Sequence, residues 1–355
     1  MKKKSLIAMS GGVDSSVAAY LMMNQGYKCM GATMKLVTNP DEEKARERSC
    51  CSLEDVEDAR SVAAKLDMPY YVFNFAEEFK KQVMEPFIAA YEKGATPNPC
   101  IECNRHLKFE QFYKRAMELG CDYVVTGHYA RISEENGRFL LKKAEDKSKD
   151  QSYVLYSMTQ EQLAHTLFPL GEMEKTEARQ LAEDRGFLNS DKPDSQDICF
   201  VPDGDYAGFI RRSTGKDYPE GEFVDKDGNV LGTHRGIIHY TKGQRKGLGI
   251  SAATPLYVCE ICPRENRIVL GQNEDLFTQD FEAEDMNWIY WDVPPESFRA
   301  KAKVRYRHTE QWAEVYLLPD GRVHVRFDEP QRAITRGQAV VLYDGEYVLG
   351  GGVIQ

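Results

Sequence analysis

The first half of the chain alternates short apolar runs with longer amphipathic stretches. Residues 5–9, 28–37, 70–75 and 122–126 read as strands, and 15–25, 53–66, 78–93 and 107–119 as helices between them. Met68-Pro69 closes one helix and Gly120 caps another. This strand–helix order predicts a parallel, doubly wound sheet. From 159 to 186 the pattern stays helical, with Ala178, Leu181 and Ala182 about one turn apart, and 203–213 gives a last short helix. After about residue 215 the period changes. Turn signals such as Asp227-Gly228 and Asp320-Gly321 separate short alternating runs at 236–240, 256–261, 267–270, 315–318, 323–327 and 339–343. That is antiparallel β structure, a small β-rich module followed by a β-barrel. The expected division is a catalytic unit over 1–210, a central β-rich unit over 211–278 and a C-terminal barrel over 279–355.

With 355 residues, 42% of them hydrophobic, the chain is long enough for two or three cores. No run approaches the ~20 apolar residues of a membrane span. The basic start followed by Leu6-Ile7-Ala8-Met9 ends at Gly11-Gly12, short of the roughly 7–15 residues of a signal core. A cytoplasmic protein is expected. Nine cysteines, an odd and scattered set, point to metal binding or sulfur chemistry in a reducing compartment, not to a disulfide scaffold. The net charge of −10 argues against a general nucleic-acid binder but leaves room for local basic surfaces.

Ser10-Gly11-Gly12-Val13-Asp14-Ser15-Ser16 follows the first strand and opens the first helix. The glycines permit a tight turn and close backbone approach, the serines bring hydroxyl donors, and the helix start aims N–H groups at an anion. A plain helix-capping turn explains the composition but not the placement of the whole run. The Gly-Lys-Ser/Thr ending of a Walker loop is missing. A loop without that lysine suits a pyrophosphate leaving group, hence adenylation of a substrate oxygen. The run resembles the signature of the PP-loop ATP pyrophosphatase superfamily. That resemblance implies an adenine nucleotide alpha hydrolase-like fold and cleavage of ATP to AMP and pyrophosphate.

Cys100-Ile101-Glu102-Cys103 sits at a helix start behind Pro97 and Pro99, where the helix dipole favours thiolate. Far downstream lies Asp194-Ser195-Gln196-Asp197-Ile198-Cys199-Phe200. Three readings stand. The cysteines are packing residues; or they bind zinc together with His106 or His128; or they transfer sulfur through a nucleophilic thiolate and a persulfide. Cys259-Glu260-Ile261-Cys262 falls in a strand-like run and is read as core packing. Cys50-Cys51, Cys29 and Cys121 are given no role.

Four runs together narrow the resemblance: Asn98-Pro99 through Cys103-Asn104, Thr126-Gly127-His128-Tyr129-Ala130-Arg131, Lys149-Asp150-Gln151-Ser152-Tyr153 and the stretch ending in Cys199-Phe200. With Gly350-Gly351-Gly352-Val353-Ile354, they make the whole chain similar to the bacterial tRNA 2-thiouridylase family. The resemblance implies that Cys103 is the nucleophile and Cys199 carries the persulfide. It implies that Ala8, Met9, Ser10, Gly11, Gly12, Val13, Asp14, Ser15, Met34 and Gly127 hold ATP, with Mg²⁺ on its phosphates. It assigns Asn98, Pro99 and Cys100 to the target base. His128, Lys149, Asp150, Gln151, Arg305, Tyr306 and Gln338 are assigned to tRNA. The implied partners are tRNA with a wobble uridine, of glutamate, glutamine and lysine acceptors, and a cysteine desulfurase or sulfur-relay protein. One departure stands out: many members carry Asp where this chain has Cys100. Cys100, Cys103 and Cys199 thereby form a three-thiolate set that suits a [4Fe–4S] cluster with one open iron.

Arg299, Lys301, Lys303, Arg305 and Arg307 alternate with apolar or aromatic residues. On one strand this puts five cations on one face, without an acid among them, as a phosphate backbone would want. Arg235, Lys242, Arg245 and Lys246 form a second, glycine-rich basic stretch. A small-molecule PP-loop synthetase explains the loop but neither the paired cysteines nor the basic run.

Overall fold

The computed structural model describes residues 2–37, 53–192, 198–201 and 203–355. Strands β1 (Lys4–Ala8), β2 (Lys28–Lys35), β3 (Tyr70–Asn74) and β4 (Tyr123–Val125) pair in parallel with a short β7 (Thr166–Leu167), in the order β3-β2-β1-β4-β7. Because side chains alternate along a strand, neighbouring residues of β1 face opposite layers. Leu6 enters an apolar cluster with Phe79, Phe87, Leu107 and Phe112. Ile7 enters another with Val17, Ala18, Ala59, Val62 and Ala178. Both strand residues are fully buried, and truncating either to Ala would cost about 2–5 kcal/mol. The doubly wound layering is therefore written in two consecutive residues.

Helix α1 (Val13–Asn24) leaves β1, and α2 (Leu53–Lys65) follows β2. Next come a helix over 76–92 and another over 99–118. The latter starts as Pro99–Glu102, is π-wound from Cys103–Gln111 and finishes as Phe112–Glu118. The continuous helical pattern expected over 159–186 is broken. A short helix Gln160–Ala164 and strand β7 precede helix Lys175–Asp184. β7 extends the parallel sheet, a use that local helical periodicity cannot reveal.

Between β4 and β7 the chain makes a hairpin, β5 (Ala130–Glu135) and β6 (Arg138–Lys143), that the pattern did not predict. It joins the C-terminal sheet, not the parallel one. That sheet contains β12 (Phe277–Trp288), β13 (Ser297–Lys303), β14 (Gln311–Leu317), β15 (Val323–Arg332), β16 (Ala339–Asp344) and β17 (Tyr347–Ile354). Pairing of β12 with both β15 and β17 closes these six into a barrel. Ile101, Phe109, Tyr153 and Tyr156 of the first unit share one core with Val341, Tyr343 and Val348 of the barrel. The barrel is therefore packed against the catalytic unit through a common core.

The central unit is a four-stranded sheet, β10 (Tyr257–Cys262), β11 (Arg267–Gly271), β8 (Gly221–Val224) and β9 (Val230–His234), around Phe223, Tyr240, Val258 and Ile268. The strand expected at 236–240 is instead a 3₁₀ turn, Ile237–His239, entered through Gly236 at φ +106°. A backbone there cannot extend a ladder. Helix Tyr206–Thr214 runs across 210/211 and lays Ala207, Phe209 and Ile210 into the catalytic core. No helix among the described residues is long and apolar enough to cross a membrane.

Candidate active site

In a doubly wound sheet, ligands bind at the carboxyl ends of the strands where the winding reverses. Here that point lies between β1 and β4. The loop 9–12 leaves β1, and Thr126-Gly127-His128 leaves β4. Gly11 adopts φ +77°, and a Cβ on it would lie 2.4 Å from the carbonyl oxygen of Asp55. A Cβ on Gly127 would lie 2.7 Å from the Asp14 backbone and 2.8 Å from the Ser15 nitrogen. Both glycines are required by close packing of backbone on backbone. Ser15 Oγ accepts the Ser10 N–H at 3.2 Å and donates to the Gly12 carbonyl at 2.9 Å. Asn189 Nδ2 donates to the Gly11 carbonyl at 2.8 Å and to Ser16 Oγ at 2.9 Å. Gly12 caps α1 without any side chain, so the first-turn N–H groups are left to an incoming anion.

Asp14, on the first turn of α1, is engaged from two sides. Lys175 Nζ donates to both carboxylate oxygens at 2.7 Å, and Tyr129 Oη donates to Oδ1 at 3.0 Å. The Lys175 side chain is only 8% exposed. Ala8, at the end of β1, and Met34, on β2, both pack against the cluster that holds Leu6.

The cysteines lie along the same layer. Asn98 caps the 99–118 helix by accepting the Cys100 N–H at 3.1 Å, and Pro99 occupies the first turn. Cys100 is exposed, while Cys103, where the π-wound segment begins, is half-buried. Cys199 is also half-buried. Its neighbour Phe200 is pinned against Phe79, Phe87 and Phe209 at ring distances of 5.7, 5.2 and 5.0 Å. Cys103 and Cys199, remote in sequence, both pack on that one cluster. Among the described residues no group of three or more His, Cys, Asp or Glu is placed to hold a metal ion. The three-thiolate cluster set and a zinc set with His106 or His128 are thus not assembled. Asp194 to Asp197 and Cys50-Cys51 lie outside the described residues.

His106 hangs between Glu102 and Glu110, whose carboxylates raise its pKa, Glu102 most. His128 is buried, with Nδ1 2.6 Å from Thr126 Oγ1 and Nε2 3.3 Å from Lys108 Nζ. Burial first, and then the Lys108 charge, hold its pKa well below the ordinary range. It sits between the rings of Phe109 and Phe168.

Other expected tRNA residues converge where the three units meet. A cleft of about 250 Å³ is lined by Thr96, Lys242, Arg305, Arg332, Thr335 and Gln338, among others. Gln338 Nε2 donates to the Thr96 carbonyl at 2.8 Å. Tyr306 Oη donates to the Asp150 carbonyl at 3.3 Å. Its pKa is raised, first by burial and then by the charges of Asp150 and Cys100. Gln151 Oε1 accepts the Tyr129 N–H at 3.0 Å, tying its segment to the phosphate seat, and Lys149 lies on the same turn.

The basic run is corrected. β13 ends at Lys303, so Arg305 and Arg307 lie in the following turn. Acids also reach the cations from neighbouring strands. Arg299 is bidentate to Asp328 at 3.0 and 2.8 Å, and Lys301 lies 3.9 Å from Glu310. A sequence run shows one strand; its counter-charges come from β15 and from residues just before β14. Cys259 and Cys262 stay in a strand, as expected, both half-buried.

Three family models cover the chain: a tRNA methyl transferase HUP domain at 3–203, a tRNA methyl transferase PRC-barrel domain at 207–272 and an aminomethyltransferase beta-barrel domain at 278–354. A tRNA-specific 2-thiouridylase MnmA of Clostridioides difficile is 53% identical over 100% of this chain and 99% of its own length. Its namesake from Acetivibrio thermocellus is 52% identical over the same shares. The chain belongs to the tRNA-specific 2-thiouridylase MnmA family. A solved complex of a 4-thiouridine synthetase with RNA and ATP matches 56% of this chain and 45% of that one, at 18% identity and a TM-score of 0.34, too partial to carry an argument.

Within this family frame, the residues that sequence reading missed are Lys175, Asn189 and Tyr129. Tyr129 lies inside a run that was singled out. Lys175 opens a helix noticed only for its apolar positions. Asn189 had no signal beyond being polar.

Proposed function

We propose that this chain is a tRNA-uridine 2-sulfurtransferase that adenylates the C2 oxygen of the wobble uridine and replaces it with sulfur. ATP is held by the 8–15 loop, Met34 and Gly127, its phosphates on the open N-terminus of α1. The uridine C2 oxygen attacks the α-phosphorus and pyrophosphate leaves. The C2 oxygen, now bonded to phosphorus, is a good leaving group. Cys199 brings a persulfide, Cys199–S–SH, loaded by a cysteine desulfurase or sulfur-relay protein. The Cys103 thiolate attacks the Cys199 sulfur, forms a Cys103–Cys199 disulfide and expels hydrosulfide. Hydrosulfide adds to C2 and AMP departs with the original oxygen. A dithiol reductant then takes up the disulfide.

The observation that carries this reading is the packing of Cys103 and Cys199 on one apolar cluster, beside the strand ends that hold the phosphate loop. An anticodon-loop uridine is already unpaired, so drawing it into a pocket costs a few kcal/mol at most. Asn98, Pro99 and Cys100 would receive the base. Arg305, Tyr306, Gln338 and the Lys149-Asp150-Gln151 turn would hold the surrounding RNA. Asp14 is the carboxylate on the loop, and a bound Mg²⁺ would offset phosphate charge there while keeping most of its waters. The [4Fe–4S] alternative on Cys100, Cys103 and Cys199 finds no support among the described residues, and the sulfur transfer above uses the thiols alone.

Nucleoside mass spectrometry of unmodified tRNA incubated with enzyme, ATP and a persulfide donor tests the proposal. Appearance of 2-thiouridine with stoichiometric AMP supports it. Pyrophosphate release that depends on an amino acid or other small acceptor, with no thiolated nucleoside, would replace it with a small-molecule synthetase.

A further inference from the structure

The sulfur transfer proposed above ends with Cys103 and Cys199 joined, and until that bond is broken Cys199 cannot take up another sulfur. Both cysteines are half-buried and pack on the apolar cluster that holds Phe79, Phe87 and Phe200, so their disulfide would be partly shielded from a reductant. Cys100 is exposed. Its place relative to Cys103 is set by the backbone. Pro99 and Ile101 on either side of it are buried, and Ile101 enters the core shared with the barrel. The turn that carries both thiols is wound more tightly than an ordinary α-helix. The Ile101 N–H donates to the Asn98 carbonyl at 3.1 Å, and the Cys103 N–H is shared between the carbonyls of Pro99 and Cys100. Bonds to the third residue back are those of a 3₁₀ turn, in which side chains at i and i+3 eclipse. Cys100 therefore lies one turn before Cys103 on the same side of the helix. Cβ atoms so spaced stand about 5–6 Å apart on an α-helix and a disulfide wants about 3.5–4.5 Å, so closing by roughly 1–2 Å joins them.

We infer that Cys100 is a resolving thiol, whose thiolate attacks the Cys103 sulfur of the Cys103–Cys199 disulfide and moves the oxidised bond to Cys100–Cys103. The bond between the Cys103 and Cys199 sulfurs breaks, one between Cys100 and Cys103 forms, and the electron pair leaves on Cys199 as thiolate. The exchange has no net oxidation or reduction. The proton lost by Cys100 goes to solvent, and solvent can return one to Cys199. The dithiol reductant of the proposed cycle then meets a disulfide with one exposed sulfur, and Cys199 is released for reloading before that reduction. The exchange follows departure of the thiolated base, which Cys100 faces until then. This inference rests on the sulfur-transfer reading and adds a resetting step to it.

The test follows the disulfide in full-length wild type. Reduced enzyme is mixed with ATP, unmodified tRNA and a cysteine desulfurase that carries its own persulfide and has been freed of cysteine, with no reductant added. Samples are acid-quenched, alkylated, digested with trypsin and mapped by mass spectrometry, and 2-thiouridine is counted in the same samples. Trypsin leaves Cys100 and Cys103 in one peptide, 94–105, and Cys199 in another. The expected end state is a 94–105 peptide that takes up no alkylating agent, beside an alkylated Cys199. Thiouridine formed with Cys199 still linked to Cys103 and Cys100 alkylated overturns the inference and leaves the functional reading standing. Thiouridine with all three cysteines alkylated overturns both the inference and the disulfide-forming release step. No thiouridine overturns the functional reading and the inference with it. Cys100→Ser gives a second readout once a dithiol is supplied. Its steady-state rate, divided by its first-turnover rate, should fall roughly tenfold or more below the wild-type ratio. An unchanged ratio, with both rates lowered equally, is what a role in seating the base alone would give, and it overturns the inference.

Discussion

The phosphate seat and the cleft beside it are built in opposite ways. The seat lies inside one unit, at the point where the sheet reverses its winding. Its polar groups are engaged with one another: Ser15 with Ser10 and Gly12, Asn189 with Gly11 and Ser16, Asp14 with Lys175 and Tyr129. The cleft is assembled from Thr96 of the catalytic unit, Lys242 of the central unit and Arg305 and Gln338 of the barrel, with Cys100 exposed nearby. A small, rigid ligand rewards preorganisation, because every group fixed beforehand is one less to order on binding. The cleft proposed above for the RNA lies at a junction of surfaces, where a folded molecule can enter from outside. The difference predicts that changes at the seat impair all chemistry, whereas changes at the thiols and cleft separate its stages.

The sharpest break of that comparison is Cys199→Ser. Thiouridine formation should fall to background while tRNA-dependent pyrophosphate release persists. Thiouridine at the wild-type rate would remove the persulfide role, and parallel loss of pyrophosphate would mean that the two stages are not separable. Gly127→Ala, next in size, presses a methyl group onto the Asp14 and Ser15 backbone. A displacement of about 1 Å in a reactive arrangement costs on the order of a hundredfold. Pyrophosphate release and thiolation should drop together by about that factor, read in one assay of both products. Retained activity would show that the loop yields.

At the cleft, Arg305→Ala with Arg307→Ala should weaken tRNA binding by roughly tenfold and lower the slope of log affinity against log salt by about 1–2. Arg299→Ala, whose guanidinium is occupied by Asp328, should change neither much. Equal effects of the two substitutions would restore the picture of a single basic strand face.

The smallest effect is the pH dependence of stability. His128 is held neutral in the native state, whereas an unfolded histidine takes up a proton near pH 6.5. Below that pH the unfolded chain therefore binds more protons, and stability falls as pH drops until the native ring itself titrates. His234, His239 and His308 are shifted the same way, and His106 the opposite way. His128→Gln should therefore reduce, but not abolish, the loss of Tm between pH 7.5 and 5.5. An unchanged slope would show that the ring is hydrated.

The doubly wound sheet and the phosphate loop were legible because both are local. Leu6 and Ile7 announce two buried faces, and Ser10 to Ser16 lies directly between strand and helix. The hairpin over 130–143 was not legible, because its stability comes from the barrel roughly 200 residues downstream, through contacts such as Lys142 with Tyr347. For the same reason Arg299 and Lys301 looked unopposed. Their acids, Asp328 and Glu310, are neighbours in space and not in sequence. Lys175 went unseen because its meaning depends on Asp14, 161 positions earlier. Cys103 stood out by its place at a helix start, and the separate roles of Cys103 and Cys199 came from family resemblance. Their common apolar cluster is a tertiary fact.

The central claim is that the uridine's own C2 oxygen leaves as part of AMP and that sulfur takes its place. It is tested most directly with tRNA carrying ¹⁸O at C2 of the wobble uridine, followed by mass spectrometry of the released AMP and of the nucleoside. One ¹⁸O in AMP for each 2-thiouridine formed is the predicted result. Thiolated nucleoside accompanied by unlabelled AMP would contradict it.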